Sequence, residues 1–169
     1  PLAGLPDDTI MRERRNGLLV LTHAHRDHSG ALPYISRQYP HVRIAMTSTT
    51  LALCKWTWRD ELRIARRRGE KTVFDEVDIR RIERRVEIVE PGTVLTAGPF
   101  EVEMTHNGHI LGSIGVLVKR PVSVYFTGDT CLHHQRTVAG AELPRQPVEY
   151  LISESTYGGR VGQSRTETE

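Results

Sequence analysis

Only two of the 169 residues are cysteine, and Cys54 and Cys131 stand in unlike surroundings, so no disulfide framework is expected and a reducing compartment fits. Long apolar runs are also missing. Nothing approaches the roughly 18 apolar residues of a membrane span, and no basic segment followed by an apolar one opens the chain. The expected location is therefore cytoplasmic, with no membrane partner. Aromatic residues make up only 6%, and neither sign of charge dominates: a formal net charge of +2 gives no whole-surface electrostatic case for nucleic acid. Internal repeats, low-complexity tracts and linker composition are absent too. The apolar and charged fractions are those of an ordinary globular domain, about one domain's worth of chain.

Metal-binding side chains are plentiful in one place. His23, His25, Asp27 and His28 fall within six residues of Thr22-His-Ala-His-Arg-Asp-His-Ser-Gly30, straight after the apolar run 17–21. Imidazole nitrogen and carboxylate oxygen suit zinc and similar borderline cations. Alternate residues of an extended segment point the same way, so His23 and His25 can grip one ion, while Asp27 and His28 face elsewhere, as a second ion needs. The alternative is a polar loop that happens to be rich in histidine; the order and spacing of the run argue against it.

Periodicity gives a βα beginning and a mostly β remainder. Residues 17–22 read as a buried strand, 29–39 as a helix with Pro33 near its start, and 42–46 as the next strand. Thr47 to Thr50 offer hydroxyl caps for a long helix whose apolar face runs through Leu51, Cys54, Trp58, Leu62 and Ala65, with Gly69 placed to end it. A second, heavily charged helix is expected over 75–85. Strands are expected over 86–89, 100–104, 113–118, 122–127 and 148–153, several with apolar residues at alternate positions.

Two later strand ends also carry chemistry. Asn107-Gly-His109-Ile-Leu-Gly-Ser113 presents His109 in a glycine-rich loop, and Phe126-Thr-Gly-Asp129 projects Asp129 after a turn. Taken singly, each is an ordinary loop. Together with the first cluster they suggest that His23, His25 and His109 bind one ion, Asp27 and His28 bind a second, and Asp129 bridges both. That is the donor set of a two-metal hydrolase site, in which paired ions share an activated water.

These segments, with Ser29-Gly-Ala-Leu-Pro33 and Ile152-Ser-Glu-Ser-Thr-Tyr-Gly158, resemble the metallo-β-lactamase superfamily and, more narrowly, its β-CASP branch of RNA- and DNA-processing nucleases. The resemblance runs from about residue 17 to 165. Gly158-Gly-Arg160 and Ser164-Arg165 look most like archaeal-type members. The implied fold is an α/β, four-layer αβ/βα sandwich of mixed sheets flanked by helices. The implied chemistry is phosphodiester hydrolysis of RNA or single-stranded DNA with two Zn2+ ions, Mn2+ being the substitute metal, leaving a 5′-phosphate and a 3′-hydroxyl. Asp27 would orient the attacking water, and Glu154 matches the branch's first specific acidic motif, so both are implied catalytic residues. An RNA-processing ribonuclease, endonuclease or 5′–3′ exonuclease, is the expected activity, working as a homodimer or as a processing-complex subunit.

Family members also carry an aspartate ahead of the histidine motif and two further histidines in or after an inserted cap domain. Both ends of this sequence look cut. Residues 1–169 are thus expected to be the N-terminal part of a metallo-β-lactamase domain without its β-CASP cap, inactive by itself.

The remaining candidates are weaker. Arg59, Arg63, Arg66, Arg67, Arg68 and Lys71, with Arg80, Arg81, Arg84 and Arg85, could track a nucleic-acid backbone, but interleaved acids favour a solvated helix face. Trp56 and Trp58 are expected to pack in the core rather than stack on bases. Cys131 is expected to be an ordinary loop thiol, His133 and His134 surface residues near the cleft, and His106 a support for the His109 loop. Two other functions compete: a small-molecule metallo-hydrolase of the thioesterase or lactonase kind, and a non-catalytic RNA-binding subunit.

Overall fold

The computed structural model describes residues 17–156, 158 and 159. The first apolar run forms β1 (Leu18–Val20), and the chain leaves it through residues 23–25 into a single turn of helix, α1 (Arg26–Ser29), followed by α2 (Leu32–Gln38). Helix therefore begins at Arg26, earlier than the expected position 29. The amides of His28 and Ser29 close onto the His25 carbonyl, so the backbone coils there and swings Asp27 and His28 away from the extended His23 and His25. Pro33 falls in the first turn of α2, where its missing N–H costs no hydrogen bond.

β2 (Arg43–Met46) lies parallel to β1, and the long helix α3 (Ser48–Arg68) follows it. Thr47 caps α3, its hydroxyl oxygen accepting from the Thr50 amide, and Gly69 ends it. α4 (Glu76–Arg85) starts with a reciprocal capping box between Asp75 and Asp78, then leads to β3 (Glu87–Ile88), parallel to β2. The rest of the chain is a second sheet. β4 (Val94–Ala97), β5 (Phe100–His106), β6 (Ile114–Arg120) and β7 (Val124–Phe126) pair antiparallel in sequence order, and β8 (Tyr150–Ile152) adds to β7 in parallel. β4 was not expected. It is an edge strand whose alternation is only between exposed and half-buried positions, a weak signal in sequence.

Alternation along the strands divides the interior in two. Leu21, Ile44 and Met46 face the helices and pack with Cys54, Trp58, Phe74, Ile79 and Ile82. Ala45 and Val89 face the other way and meet Val102, Met104 and Ile114 of the second sheet. The result is helices on one sheet and that sheet on another, the mixed α/β layering expected, with three layers among the described residues. The strand ends that carry His23, His109 and Asp129 thereby reach one rim.

Trp56 overturns an expectation. Trp58 is buried and its indole N–H donates to the Ser29 carbonyl at 3.1 Å, but Trp56 is 70% exposed. Residues two apart on a helix point to nearly opposite sides, so the two rings could not share one core. The basic residues behave as expected. Arg59 bridges from α3 to Glu76 and Glu83 of α4, Lys55 also meets Glu83, Arg63 pairs with Asp60, Arg81 with Asp78, and Arg85 donates to the carbonyls of Ser36, Pro40 and Val42. Both cysteines are free; burial pushes the Cys54 thiol up to about 11. The residues read at the two ends (1–8 and 162–169), together with Tyr157, Arg160, Ser164 and Arg165, lie outside the described residues.

Replacing Trp58 with alanine is expected to cost about 3–5 kcal/mol in urea unfolding, because it empties a filled core position. Trp56→Ala is expected to stay within about 0.5 kcal/mol of the parent, as for other exposed sites. Equal losses from the two substitutions would contradict this packing.

Candidate metal centre

Three loops from different parts of the chain meet at the end of β1. The Thr22 carbonyl accepts from the Ile114 amide at 2.9 Å, joining the histidine motif to the start of β6. Gly128 has φ +59, and a Cβ there would come within 3.1 Å of the Thr22 side chain, so only glycine lets the loop after β7 lie this close to β1. That approach brings Asp129 to the imidazole of His23. The far end of the His109 loop is tied down as well: the Gly112 carbonyl accepts from the hydroxyls of Thr47 and Thr50 at 2.7 and 2.9 Å, at the mouth of α3.

At this junction the donor atoms crowd together. His25 Nδ1 lies 3.1 Å from His23 Nε2 and 3.1 Å from His109 Nε2, while Asp129 Oδ2 is 3.7 and 3.6 Å from the same two Nε2 atoms. One donor atom from each of these four residues falls in a set that spans no more than 4.8 Å. A tetrahedral ion with bonds of about 2.0–2.1 Å has ligand–ligand edges of roughly 3.3 Å. The four spacings of 3.1, 3.1, 3.6 and 3.7 Å lie close to that edge. They do not fit hydrogen bonding, because the His25 Nδ1 atom has one proton or one lone pair and cannot make two good bonds to neighbouring ring nitrogens.

The other oxygen of Asp129 turns outward. Asp129 Oδ1 is 3.3 Å from His28 Nε2, which is itself 3.5 Å from Asp27 Oδ2. All six residues singled out in the sequence, His23, His25, Asp27, His28, His109 and Asp129, are thus brought together, with Asp129 between a group of three histidines and an Asp27–His28 pair. Burial is graded across the cluster. The His23 side chain is fully buried, His28, His109 and Asp129 are about a quarter exposed, and Asp27 is 78% exposed. The inner imidazole is enclosed and the outer carboxylate is open to solvent.

Burial disfavours a proton on His23 and on His109. Burial, followed by the neighbouring His28, His109 and His25, drives His23 down to about 3, with Asp27 opposing. His109 is lowered also, chiefly by burial, against the pull of Asp129. Neutral imidazole is the form that binds a cation.

Glu154 lies at the edge of the cluster and stands apart from the six. Its Oε1 accepts from the Thr130 amide at 3.0 Å and its Oε2 from the Thr156 amide at 3.2 Å. Bonding to Thr156 and to the Thr130 amide holds the carboxyl below its ordinary value, so it is ionised at neutral pH. His106 does not support the His109 loop directly: its Nε2 meets the Ala139 carbonyl at 3.0 Å, in the 131–142 segment. Cys131 places its thiol against the His133 carbonyl rather than in the cluster, and His133 and His134 are exposed. A hollow of about 390 Å3 between α3 and α4, lined by Leu62, Ala65, Arg66 and Val77 among others, contains none of the cluster. Two residues that bond to the backbone of the His109 loop, Asn107 and Gln135, are not among the candidates read from the sequence. Asn107 left a faint signal as a turn residue before glycine; Gln135, distant along the chain, left none.

Residues 18–144 match the family described as the Metallo-beta-lactamase superfamily. Among curated proteins, the chain is 32% identical over 154 residues to "Endoribonuclease ysh1" of Schizosaccharomyces pombe, with 90% of this chain covered. It is 31% identical over 155 residues to "Cleavage and polyadenylation specificity factor subunit 3" of Dictyostelium discoideum, and 30% over 150 residues to "Cleavage and polyadenylation specificity factor subunit 3-I" of Arabidopsis thaliana. These matches take in 20%, 20% and 22% of the relatives, so the chain spans about a fifth of their length. A crystal structure of a protein of unknown function from Enterococcus faecalis V583 has the same fold, with a TM-score of 0.50 at 22% identity over 71% of this chain and 26% of the other.

The lowered pKa of His23 makes stability depend on pH. In the metal-free protein this histidine stays neutral while the unfolded chain takes up a proton below its ordinary 6.5, so unfolding is favoured as pH falls from 6.5 toward 3. Urea midpoints of the chelator-treated protein are expected to fall between pH 7 and 5, with a flatter dependence in His23→Gln. A midpoint that rises on acidification would contradict the buried neutral imidazole.

Proposed function

The chain belongs to the metallo-beta-lactamase superfamily, and from that premise we propose that it is the N-terminal part of a β-CASP-type nuclease that hydrolyses phosphodiester bonds in RNA. The observation that carries this reading is the similarity, along about 90% of the chain, to proteins named as endoribonucleases and as a cleavage and polyadenylation factor subunit. The Ile152 to Gly158 segment supports it from the sequence side. The histidine motif is common to the superfamily, whereas that block resembles the β-CASP branch in particular.

His23, His25, His109 and Asp129 Oδ2 would hold one divalent ion, and Asp27, His28 and Asp129 Oδ1 would contribute to a second. We assign zinc to both, with Mn2+ as a substitute. Bound cations supply Lewis acidity, a water of lowered pKa and positive charge against the oxygens of a phosphodiester. The chain's own residues do the remaining work. Buried His23 keeps its nitrogen neutral and in place, which costs no reorganisation on binding. Asp129 ties the two halves through a single carboxylate. Asp27, largely exposed and next to His28, stands where it can accept a hydrogen bond from an attacking water and orient it. Glu154, held ionised by two backbone amides, is unsuited to donating a proton; it fixes the loop that follows Asp129.

The substrate is proposed to be single-stranded RNA presented to this rim from outside the domain. A processing complex is the proposed setting, and the cytoplasm the proposed compartment. Among the described residues no helix is long and apolar enough to cross a membrane.

In the full-length polypeptide, metal analysis is expected to find zinc that falls in His25→Ala and Asp129→Ala. Cleavage of single-stranded RNA is expected to fall in both by more than about 100-fold, since losing a ligand costs at least as much as losing the groups that orient one. Hydrolysis of a thioester with no action on RNA would replace the nuclease by a small-molecule hydrolase. Unchanged zinc content in both variants would remove the metal site.

A further inference from the structure

One buried amide connects both strand-end loops that complete the cluster. Asn107 is fully buried, and its Nδ2 donates to the Ile114 carbonyl and to the Thr127 carbonyl, each at 3.0 Å. Its Oδ1 accepts from the His109 amide at 3.3 Å. Its own carbonyl accepts from the Cys131 amide at 3.0 Å and from the Thr130 hydroxyl at 2.9 Å. Asp129 is therefore bracketed, with the Thr127 carbonyl two residues before it held by the Asn107 side chain and the two residues after it held by the Asn107 backbone. The same side chain holds the backbone of His109.

The turn between them has no slack. Gly108 has φ +72, and a Cβ there would stand 2.3 Å from the Cys131 carbonyl oxygen and 2.6 Å from the Ala141 nitrogen. Gln135 closes the assembly from outside: its Nε2 donates to the Gly108 carbonyl at 2.7 Å and to the His109 carbonyl at 2.9 Å. The Gln135 side chain reaches the His109 turn, whereas the Asn107 side chain bonds to both loops.

We propose that Asn107 is a positioning residue that sets the distance between His109 and Asp129, and that Gln135 is a second one that acts on His109 alone. This inference rests on the metal-binding reading of the cluster. Neither amide belongs to the donor set; each acts through the backbone of a residue that does. An asparagine is required at 107 because two donors and one acceptor must be satisfied on a single buried planar group. Aspartate keeps the shape and the acceptor for the His109 amide but turns an oxygen toward the Ile114 and Thr127 carbonyl oxygens, replacing two donated bonds with repulsion. Groups that orient metal ligands are worth 10–100-fold in affinity.

The test is titration of the metal-free protein with Co2+, read by the visible absorption envelope, on the parent and on Asn107→Asp, Asn107→Ala and Gln135→Ala, with circular dichroism giving the folded fraction. Per folded molecule, both Asn107 variants are expected to bind Co2+ 10- to 100-fold more weakly, with an envelope of changed shape and intensity. Gln135 lies on a half-exposed loop, so Gln135→Ala is expected to fold normally and to lose less, still with an altered envelope. A purely structural role would lower the folded fraction and the signal amplitude while leaving shape and per-molecule affinity at the parent values. That result in Gln135→Ala, or in whichever Asn107 variant folds, overturns the proposal. If the parent itself binds no Co2+, the metal-binding reading fails and this inference falls with it; parent binding with unaltered variants sinks this inference alone.

Discussion

Three imidazole nitrogens and a carboxylate oxygen held within a few ångströms of each other are the constraint on which the rest of this structure depends. In water such groups would separate or pick up protons, since lone pairs repel and imidazolium ions repel more strongly. Here His23 is enclosed and kept neutral, and His25 Nδ1 sits 3.1 Å from two other ring nitrogens. A cation would resolve the conflict, turning mutually repelling donors into a common coordination sphere. The energy that holds the donors together beforehand must come from packing elsewhere.

Packing supplies it through two cores that share one sheet. The helix-side core fixes β1 and β2, and thereby the exit of the His23 to His28 segment; the sheet-on-sheet core fixes β5 and β6, and thereby the His109 loop. Close backbone contact completes the arrangement, with Gly128 against Thr22 and the Gly112 carbonyl on the cap of α3. The site is a rim where rigid strand ends meet, and its residues lie on short loops between them. This division is common: scaffold elements give precision, and loops give chemistry.

Much of this could be read from the sequence, for local reasons. The histidine motif is contiguous, so its chemistry survives without knowledge of the fold. The cap of the longest helix, Thr47, acts on a residue three positions away. His109 and Asp129 were legible because each follows a strand and has a glycine beside it. What escaped depends on partners far along the chain. Nothing near Gln135 shows that it will meet the carbonyls of Gly108 and His109, and β4 pairs at an edge where burial leaves little pattern. The error over Trp56 was one of period: an apolar residue within an amphipathic helix was assigned to the core although its neighbour two positions on already occupied that face. The turn of α1 was missed because no side chain caps it; His25 accepts through its backbone alone.

The direct measurement is anomalous diffraction from crystals grown with zinc, recorded on both sides of the zinc absorption edge. The account predicts two peaks, one enclosed by His23, His25, His109 and Asp129 and a neighbouring one beside Asp27, His28 and the other oxygen of Asp129. No peak within this cluster, or zinc held only by exposed histidines such as His133 and His134, would contradict it.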